Sequence, residues 1–218
     1  MNPLLLILAS NSPRRRQLIQ LLGIPFKVHP ADVDESQLDG ENAEDYVRRL
    51  ARSKAEAAAG KYADLVVAAD TIVVDGEAVL GKPTDATDAC AMLTRLRSRQ
   101  HQVFSAFALY KGTSLLAPVE LCKTGVFMRG YSDTEMEEYI ASGDPLDKAG
   151  AYGIQHSGFK PVASLNGCYA SVMGLPLCHL TRTLLRHGIA ITADVPALCQ
   201  AMLDYRCPVY GAILAGQD

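Results

Sequence analysis

The early part of the chain alternates between two kinds of segment. The runs at 4–9 and 65–69 are continuously apolar and end in polar turns, which is typical of buried strands. Between them, Asn42 precedes a helical pattern that runs to about Gly60 and has one apolar face. Strands and helices that alternate in this way predict an α/β fold.

Turn and capping residues divide the rest of the chain. Ser12 is expected to cap a helix that Pro13 begins, and Ser132 is expected to open another helix with a capping box. The other predicted features are a strand at 26–29, a strand end at 70–71, a hairpin at 72–80, helices at about 85–97, 177–186 and 196–205, and long strands of a second sheet region at 101–110 and 115–129.

Composition narrows the class of protein. The chain has 218 residues, of which 49% are hydrophobic and 21% are charged, as in one sizeable globular domain. The net charge of −3 argues against a protein that tracks a long nucleic acid, whereas a small anionic ligand needs only a local basic pocket. No stretch approaches the roughly 18 consecutive apolar residues of a membrane span.

Cysteine usage bears on the compartment. The cysteines form no CxxC pair, and their spacings match no zinc pattern. We therefore expect reduced thiols, several of them in the core, and a cytoplasmic location. The residues are Cys90, Cys122, Cys168, Cys178, Cys199 and Cys207.

The segment 10–16 joins the first predicted strand to the first predicted helix. Backbone N–H groups at a helix start point outward and bind anions, and Ser10 and Ser12 add hydroxyl donors. Three arginines at 14–16 oppose the helix dipole, at roughly 0.3–1 kcal/mol each when exposed. A bound polyphosphate would offset that cost. The alternative is an ordinary basic helix face whose arginines meet surface carboxylates.

Two charged residues interrupt otherwise apolar patterns. Lys54 falls on the apolar face of the second helix, where its ammonium either snorkels to water or points into a cleft toward phosphate oxygens. Asp70 follows the apolar run 65–69, at a position where open α/β sheets bind ligands. Such a carboxylate could hold a metal, take a proton from water, or only cap a turn.

Other polar segments suit the same chemistry. The acidic loop at 32–35, which ends in Glu35, is either solvated or a source of oxygen ligands for Mg²⁺. The proline after Lys82 holds that lysine in an extended conformation. Gly150 and Gly153 would allow a backbone to approach a ligand closely, although a plain turn explains them as well.

Several motifs occur in order over about residues 4–187. They are Leu-Ala-Ser-Asn-Ser-Pro-Arg-Arg (8–15), Val-Asp-Glu (33–35), the Lys54 helix, Ala-Ala-Asp-Thr (68–71), Gly-Lys-Pro (81–83), Asp-Lys-Ala-Gly-Ala-Tyr-Gly-Ile-Gln (147–155) and Val-Met-Gly-Leu-Pro-Leu (172–177). Together they resemble the Maf family of nucleoside triphosphate pyrophosphatases. We therefore predict a Maf-like domain at 1–189 and a C-terminal extension of unknown role at 190–218.

The resemblance implies a fold similar to that of inosine triphosphate pyrophosphatases, with a mixed twisted sheet, flanking helices and two lobes around a deep cleft. It implies hydrolysis of a nucleoside triphosphate to the monophosphate and pyrophosphate, with a divalent metal such as Mg²⁺ or Mn²⁺. Asp70 would accept the proton and share the metal with Glu35, and Lys54 and Lys82 would be catalytic. The substrate-binding residues that it implies are Ser10, Ser12, Arg14, Arg15, Thr71 and Gln155.

Three positions indicate a subgroup. Arg14, Thr71 and Gln155 match the members associated with dTTP and UTP rather than those associated with 7-methyl-GTP, although Gly81 stands where some pyrimidine-type members carry Glu. The expected partner is a small nucleoside triphosphate, with no long nucleic acid and no membrane, and a homodimer is one possible assembly. Two alternatives stay open. One is a nucleotide-binding regulator of cell division with little turnover, and the other is a house-cleaning pyrophosphatase that prefers purine or modified nucleotides.

Overall fold

One mixed sheet runs through the part of the chain that the computed structural model describes, residues 4–61 and 65–217. Its strands are β1 (Leu6–Leu8), β2 (Phe26–Val28), β3 (Leu65–Asp75), β4 (Ala78–Leu80), β5 (Gln100–Lys111), β6 (Ser114–Leu115), β7 (Glu120–Met128) and β8 (Val162–Asn166). They follow the order β2-β1-β3-β5-β7-β8, with β4 paired to β3 and β6 paired to β5. β1 is parallel to β2 and β3, and β3 is antiparallel to β5.

Helices flank this sheet, and several of them begin at capping residues that the sequence predicts. They are α1 (Pro13–Gln20), α2 (Ala43–Ala59), α3 (Ala86–Leu96), α4 (Asp133–Ala141), α5 (Tyr169–Val172), α6 (Leu177–Arg186), α7 (Val195–Leu203) and α8 (Tyr210–Ala215), with 3-10 turns at Asp144–Asp147 and Ala149–Ala151. Ser12 caps α1, and Ser132 and Glu135 form the predicted capping box. Within residues 4–61 and 65–217, no helix is long and apolar enough to cross a membrane. The predicted α/β class, with a mixed sheet and flanking helices, is confirmed.

β3 is longer than the sequence predicts. The apolar pattern predicts a strand end at 70–71, whereas β3 continues to Asp75 and forms the hairpin with β4 from its own extension. The cause is tertiary, because β5 pairs with β3 as far as Val74 and keeps the backbone hydrogen-bonded. On the other side, β1 ends opposite Val67. Asp70 therefore lies in mid-strand, beyond the point where the parallel neighbour of β3 stops.

The prediction of a second sheet region is wrong. β5 and β7 belong to the same sheet as β1, because β5 pairs along almost the whole of β3. The predicted strand at 115–129 is broken between Leu115 and Glu120, where Pro118 has no N–H to donate. β8 and α8 are further elements that the apolar pattern does not predict.

Side chains on both faces of the long strands form the core. Val66 of β3 packs with residues of α2, whereas Val67 packs on the opposite face with α1 and α6. Farther along β3, Val73 belongs to a separate cluster that includes residues of α3 and α4. The apolar core is therefore divided into separate clusters on the two faces of the sheet and along the length of β3.

The last two helices pack on the cluster that contains Val67. Val195 and Cys199 of α7 and Ile213 of α8 are buried in the same cluster as α6. Nη1 of Arg182, on α6, donates a hydrogen bond to the carbonyl oxygen of Ile213 at 2.8 Å. Residues beyond 189 thus contact the core, and the division into a domain at 1–189 and an extension at 190–218 stays a prediction.

Candidate functional site

A cleft of about 410 Å³ opens beside β3 where β1 ends. It collects every residue that the sequence singles out as catalytic, metal-binding or substrate-binding. They are Ser10, Ser12, Arg14, Arg15, Glu35, Lys54, Asp70, Thr71, Lys82 and Gln155. Residues that are distant in sequence therefore share one site, and their individual roles stay predictions.

Lys54 joins two carboxylates in this cleft. Its Nζ lies 2.5 Å from Oδ1 of Asp70 and 2.7 Å from Oε1 of Glu35. The side chain of Lys54 is only 9% exposed, so the alternative that its ammonium snorkels to water is wrong. Burial raises the pKa of Glu35, but the hydrogen bond and the charge of Lys54 outweigh burial and hold this pKa below its usual value. Glu35 is therefore a carboxylate at neutral pH.

The periodicity of a helix and a strand places these groups together. Lys54 lies three residues after Ala51, on the face of α2 that packs against the sheet. Asp70 points to the same side of β3 as Val66, because side chains of a strand alternate. Beyond Leu8, β1 no longer covers this edge of β3, so Asp70 borders the cleft instead of a neighbouring strand.

Arg15 ties the helix-start loop to the other side of the cleft. Its Nε donates to the carbonyl oxygen of Gly174 at 2.8 Å, and its terminal nitrogens donate to Oγ of Ser10 at 3.2 Å and to Oγ1 of Thr71 at 3.3 Å. Burial lowers the pKa of Arg15, and the charge of Asp70 opposes this shift. Neutral oxygens thus hold the guanidinium in place at the start of α1.

The other two arginines of the helix start differ from Arg15. Arg14 lines the cleft, and its Nη1 lies 3.2 Å from Oδ2 of Asp147, a side chain that is 57% exposed. Arg16 donates to the carbonyl oxygen of Asn11 at 2.7 Å and does not line the cleft. The alternative of arginines that meet surface carboxylates therefore describes Arg14 alone. Of the three arginines at 14–16, Arg14 and Arg15 line the cleft and Arg16 does not.

The segment 147–155 forms another wall of the cleft. Gly150 has φ 68°, and its N–H donates to the carbonyl oxygen of Gly81 at 3.0 Å. A Cβ at Gly150 would lie 2.8 Å from Cγ2 of Val73, so this glycine allows the loop to approach β3. The prediction that Gly150 allows the approach of a ligand is therefore wrong, whereas Gly153 does line the cleft.

The sequence that builds this cleft matches a known family. A family model described as "Maf-like protein" matches residues 5–187, a range that contains every residue lining the cleft. The chain belongs to the Maf-like protein family. The resemblance carried by the sequence motifs is thereby confirmed.

Relatives show how far the Maf-like similarity extends. A dTTP/UTP pyrophosphatase of Anaeromyxobacter dehalogenans (strain 2CP-1) is 46% identical over 194 residues, which cover 88% of this chain and 98% of the relative. A dTTP/UTP pyrophosphatase of Geobacter sp. (strain M21) is 45% identical over 184 residues, which cover 82% of this chain and 93% of the relative. The structure of a HAM1 protein from Coxiella burnetii is similar over 93% of this chain and 100% of its own, at 15% identity and with a TM-score of 0.45.

Some residues of this Maf-like cleft were not predicted from the sequence. Tyr152 lines the cleft, and its hydroxyl lies 2.7 Å from Nε2 of His101. Burial lowers the pKa of His101 to about 4, so its imidazole is neutral at pH 7. Lys148 also lines the cleft, with Nζ 2.6 Å from Oδ1 of Asp147. Tyr152 and Lys148 both belong to the motif at 147–155, which is the signal that the sequence offers for them.

The carboxylates of Glu35 and Asp70 fit a divalent metal. Oε1 of Glu35 and Oδ1 of Asp70 both contact Nζ of Lys54, so these two carboxylate oxygens lie close together. Mg²⁺ takes one or two carboxylates from a protein and completes its shell with water and substrate phosphates, so this pair suffices. Among the described residues, no group of three or more His, Cys, Asp or Glu side chains could hold a metal. Asp32 and Asp34 do not line the cleft, so Glu35 is the part of the acidic loop that reaches it.

Proposed function

We propose that this protein hydrolyses nucleoside triphosphates, with dTTP and UTP favoured, to the monophosphate and pyrophosphate. The observation that carries the proposal is the contact of the buried Lys54 with Asp70 and Glu35, in the same cleft as the helix-start loop 10–15. Carboxylates beside a fixed cation suit the activation of water, and a helix start suits phosphate binding. Relatives named dTTP/UTP pyrophosphatase, which align over most of the chain, support the same reaction.

The proposed reaction breaks one phosphoanhydride bond. Asp70 takes a proton from a water molecule, whose oxygen bonds to the α-phosphorus while pyrophosphate leaves with the bridging oxygen. Lys54 holds Asp70 in position, and Lys82 stabilises the charge on the leaving pyrophosphate. The two cleft arginines and the N–H groups of the helix start bind the phosphates. A divalent metal, when bound by Glu35 and Asp70, would neutralise phosphate charge and polarise the α-phosphorus.

The variant Asp70→Asn tests this proposal. The amide keeps the size of the side chain but cannot take the proton, so we expect pyrophosphate release from dTTP and UTP to fall about 10²–10⁴-fold in a folded protein. Asp75→Asn is the matched control, because Asp75 is another buried aspartate of β3 and pairs with Arg95 outside the cleft. Near-normal turnover by Asp70→Asn would remove Asp70 from the reaction. No turnover by the wild-type protein with Mg²⁺ or Mn²⁺ would reject the hydrolase.

The preference for a base requires a separate panel of substrates. Thr71 and Gln155 line the cleft, and the exposed carboxamide of Gln155 offers both a donor and an acceptor to a base edge. We expect dTTP and UTP to release more pyrophosphate than ATP, GTP and 7-methyl-GTP. A faster reaction with 7-methyl-GTP would contradict the pyrimidine preference, and tight binding without release would favour the regulatory alternative.

The cellular setting and the cofactor belong to the same proposal. All six cysteines are free thiols, which supports a reducing cytoplasm. The divalent metal is supported by the carboxylates of Glu35 and Asp70, and the homodimer stays a prediction. The metal requirement is checked by loss of turnover on chelation, with recovery on addition of Mg²⁺ or Mn²⁺. Light scattering of the purified protein checks the homodimer.

A further inference from the structure

Thr71 belongs to a chain of hydroxyl groups that runs from the cleft into the sheet. Thr71 and Ser105 lie directly opposite each other on β3 and β5. Their hydroxyl oxygens are 2.7 Å apart, and the hydroxyl of Ser105 also donates to the carbonyl oxygen of Ser171 at 2.7 Å. From the cleft side, Nη2 of Arg15 donates to Oγ1 of Thr71 at 3.3 Å. Ser105 is fully buried, which protects its contacts from solvent.

The geometry fixes the direction of each proton in this chain. A carbonyl oxygen cannot donate, so the single hydroxyl proton of Ser105 points to Ser171. Two hydroxyl oxygens at 2.7 Å need a proton between them, so the proton of Thr71 points to Ser105. Oγ1 of Thr71 therefore presents only lone pairs to the cleft, and one of them accepts from Arg15.

We propose that Ser105 is a positioning residue that makes Thr71 a hydrogen-bond acceptor for the imide N3–H of uracil or thymine. This inference rests on the proposed hydrolase function and concerns its choice of base. Thr71 lines the cleft and is partly exposed, so a ligand can reach its remaining lone pair. Phosphate oxygens are themselves acceptors and cannot pair with it, whereas a donor on the nucleoside can.

This polarity separates uracil and thymine from cytosine. Uracil and thymine carry a proton at N3, whereas cytosine carries a lone pair at the same position. Bound cytosine would set one acceptor against another and leave two polar atoms without a hydrogen bond. Sugar hydroxyls are donors as well, so a test must distinguish contacts to the base from contacts to the sugar.

The variant Ser105→Ala frees the hydroxyl proton of Thr71 and tests this choice of base. The measured quantity is kcat/KM for pyrophosphate release from UTP, dUTP and CTP. We expect the wild-type protein to prefer UTP over CTP. In Ser105→Ala the UTP/CTP ratio should fall about tenfold, because the freed hydroxyl of Thr71 can donate to N3 of cytosine. The UTP/dUTP ratio should not change, and Ser105→Thr, which keeps a hydroxyl, should retain the wild-type UTP/CTP ratio.

Thr124→Val is the matched control for the loss of a buried hydroxyl. Thr124 is buried on β7, exchanges hydrogen bonds with the backbone of Cys168 and does not line the cleft, so its loss should leave the UTP/CTP ratio unchanged. An unchanged UTP/CTP ratio in folded Ser105→Ala, or a shift in UTP/dUTP instead, would overturn the inference while the hydrolase stands. Absence of turnover in the wild-type protein would overturn the proposed function, and the inference with it.

Discussion

Asp70 and Thr71 are adjacent on β3, but each meets different chemistry at the cleft. Asp70 points toward α2, where Lys54 and Glu35 surround it with charge. Thr71 points to the opposite face, where its partners are the hydroxyl of Ser105 and a guanidinium. Both residues reach one cleft because β1 stops before them and leaves this edge of β3 open.

The difference separates chemistry from recognition. On the charged side, which comprises Lys54, Glu35 and Asp70, electrostatic forces suit water activation and act on every triphosphate alike. On the hydroxyl side, which comprises Thr71 and Ser105, the hydrogen bonds are directional and suit the recognition of a base edge. Changes on the charged side should therefore alter the rate for all nucleotides, and changes on the hydroxyl side should alter the preference among them.

A large effect that is shared by all nucleotides is expected from Lys54→Met, on the charged side. This change removes the cation that both Asp70 and Glu35 contact, so kcat should fall about 10²–10³-fold for UTP and CTP alike. Steady-state pyrophosphate release with both nucleotides checks this. Lys123→Met is the control, because Lys123 pairs with Glu44 outside the cleft and its loss should leave kcat unchanged. A change of the UTP/CTP ratio in Lys54→Met would break the separation of the two sides.

Low pH should lower the free energy of unfolding, because Tyr152, which lines the cleft, hydrogen-bonds to the neutral imidazole of His101. Burial lowers the pKa of His101 from 6.5 to about 4, so the unfolded chain binds this proton first as the pH falls. The difference between the pKa of His101 in the unfolded and folded states therefore costs no stability above pH 6.5, and stability is lost as the pH falls from 6.5 toward about 4. At pH 5 the loss in the free energy of unfolding is about 2 kcal/mol.

Urea unfolding at pH 7 and pH 5 measures this loss. His101→Gln can still hydrogen-bond to Tyr152 but does not titrate, so it should lose about 2 kcal/mol less than the wild-type protein over the same interval. Equal losses in the two proteins would show that protonation of His101 does not cause the fall in the free energy of unfolding between pH 7 and pH 5.

The smallest effect is expected from Asp147→Asn, which weakens a contact across the cleft. Asp147 pairs with Arg14 and with Lys148, which Asp144 also holds, but it is 57% exposed, so its contribution to stability should stay within about 1 kcal/mol. Release of Arg14 toward the phosphates should lower KM for UTP and CTP together, by no more than about fivefold. Asp133→Asn breaks a comparable pair with Arg97 away from the cleft and should not change KM. A KM that rises, or that changes for one nucleotide only, would contradict this role of Asp147.

The sequence predicts the two sides unequally. Lys54 and Asp70 interrupt apolar patterns, so residue type and periodicity are enough to single them out. Ser105 carries no such signal, because a serine within a strand is common and its contact with Thr71 depends on the pairing of β5 with β3. The direction of a hydroxyl proton is a property of three atoms in space and has no counterpart in a sequence pattern.

The errors in the fold have the same origin. An apolar pattern reports that a segment is buried but not which strand lies beside it. The pattern therefore ends β3 at 70–71 and assigns β5 to a second sheet, whereas their mutual pairing extends both strands through one sheet. Caps are local, and for this reason Ser12, Asn42 and Ser132 are predicted correctly.

The separation of chemistry and recognition on β3 is tested most directly by comparing Asp70→Asn and Thr71→Val with UTP and CTP. The second variant removes the hydroxyl and keeps the shape of the side chain. We predict that Asp70→Asn lowers kcat/KM for both nucleotides by a similar factor of about 10²–10⁴ and preserves their ratio. We predict that Thr71→Val brings the UTP/CTP ratio toward one, chiefly by weakening the reaction of UTP. A changed ratio in Asp70→Asn, or an unchanged ratio in Thr71→Val, would contradict this division between two adjacent residues.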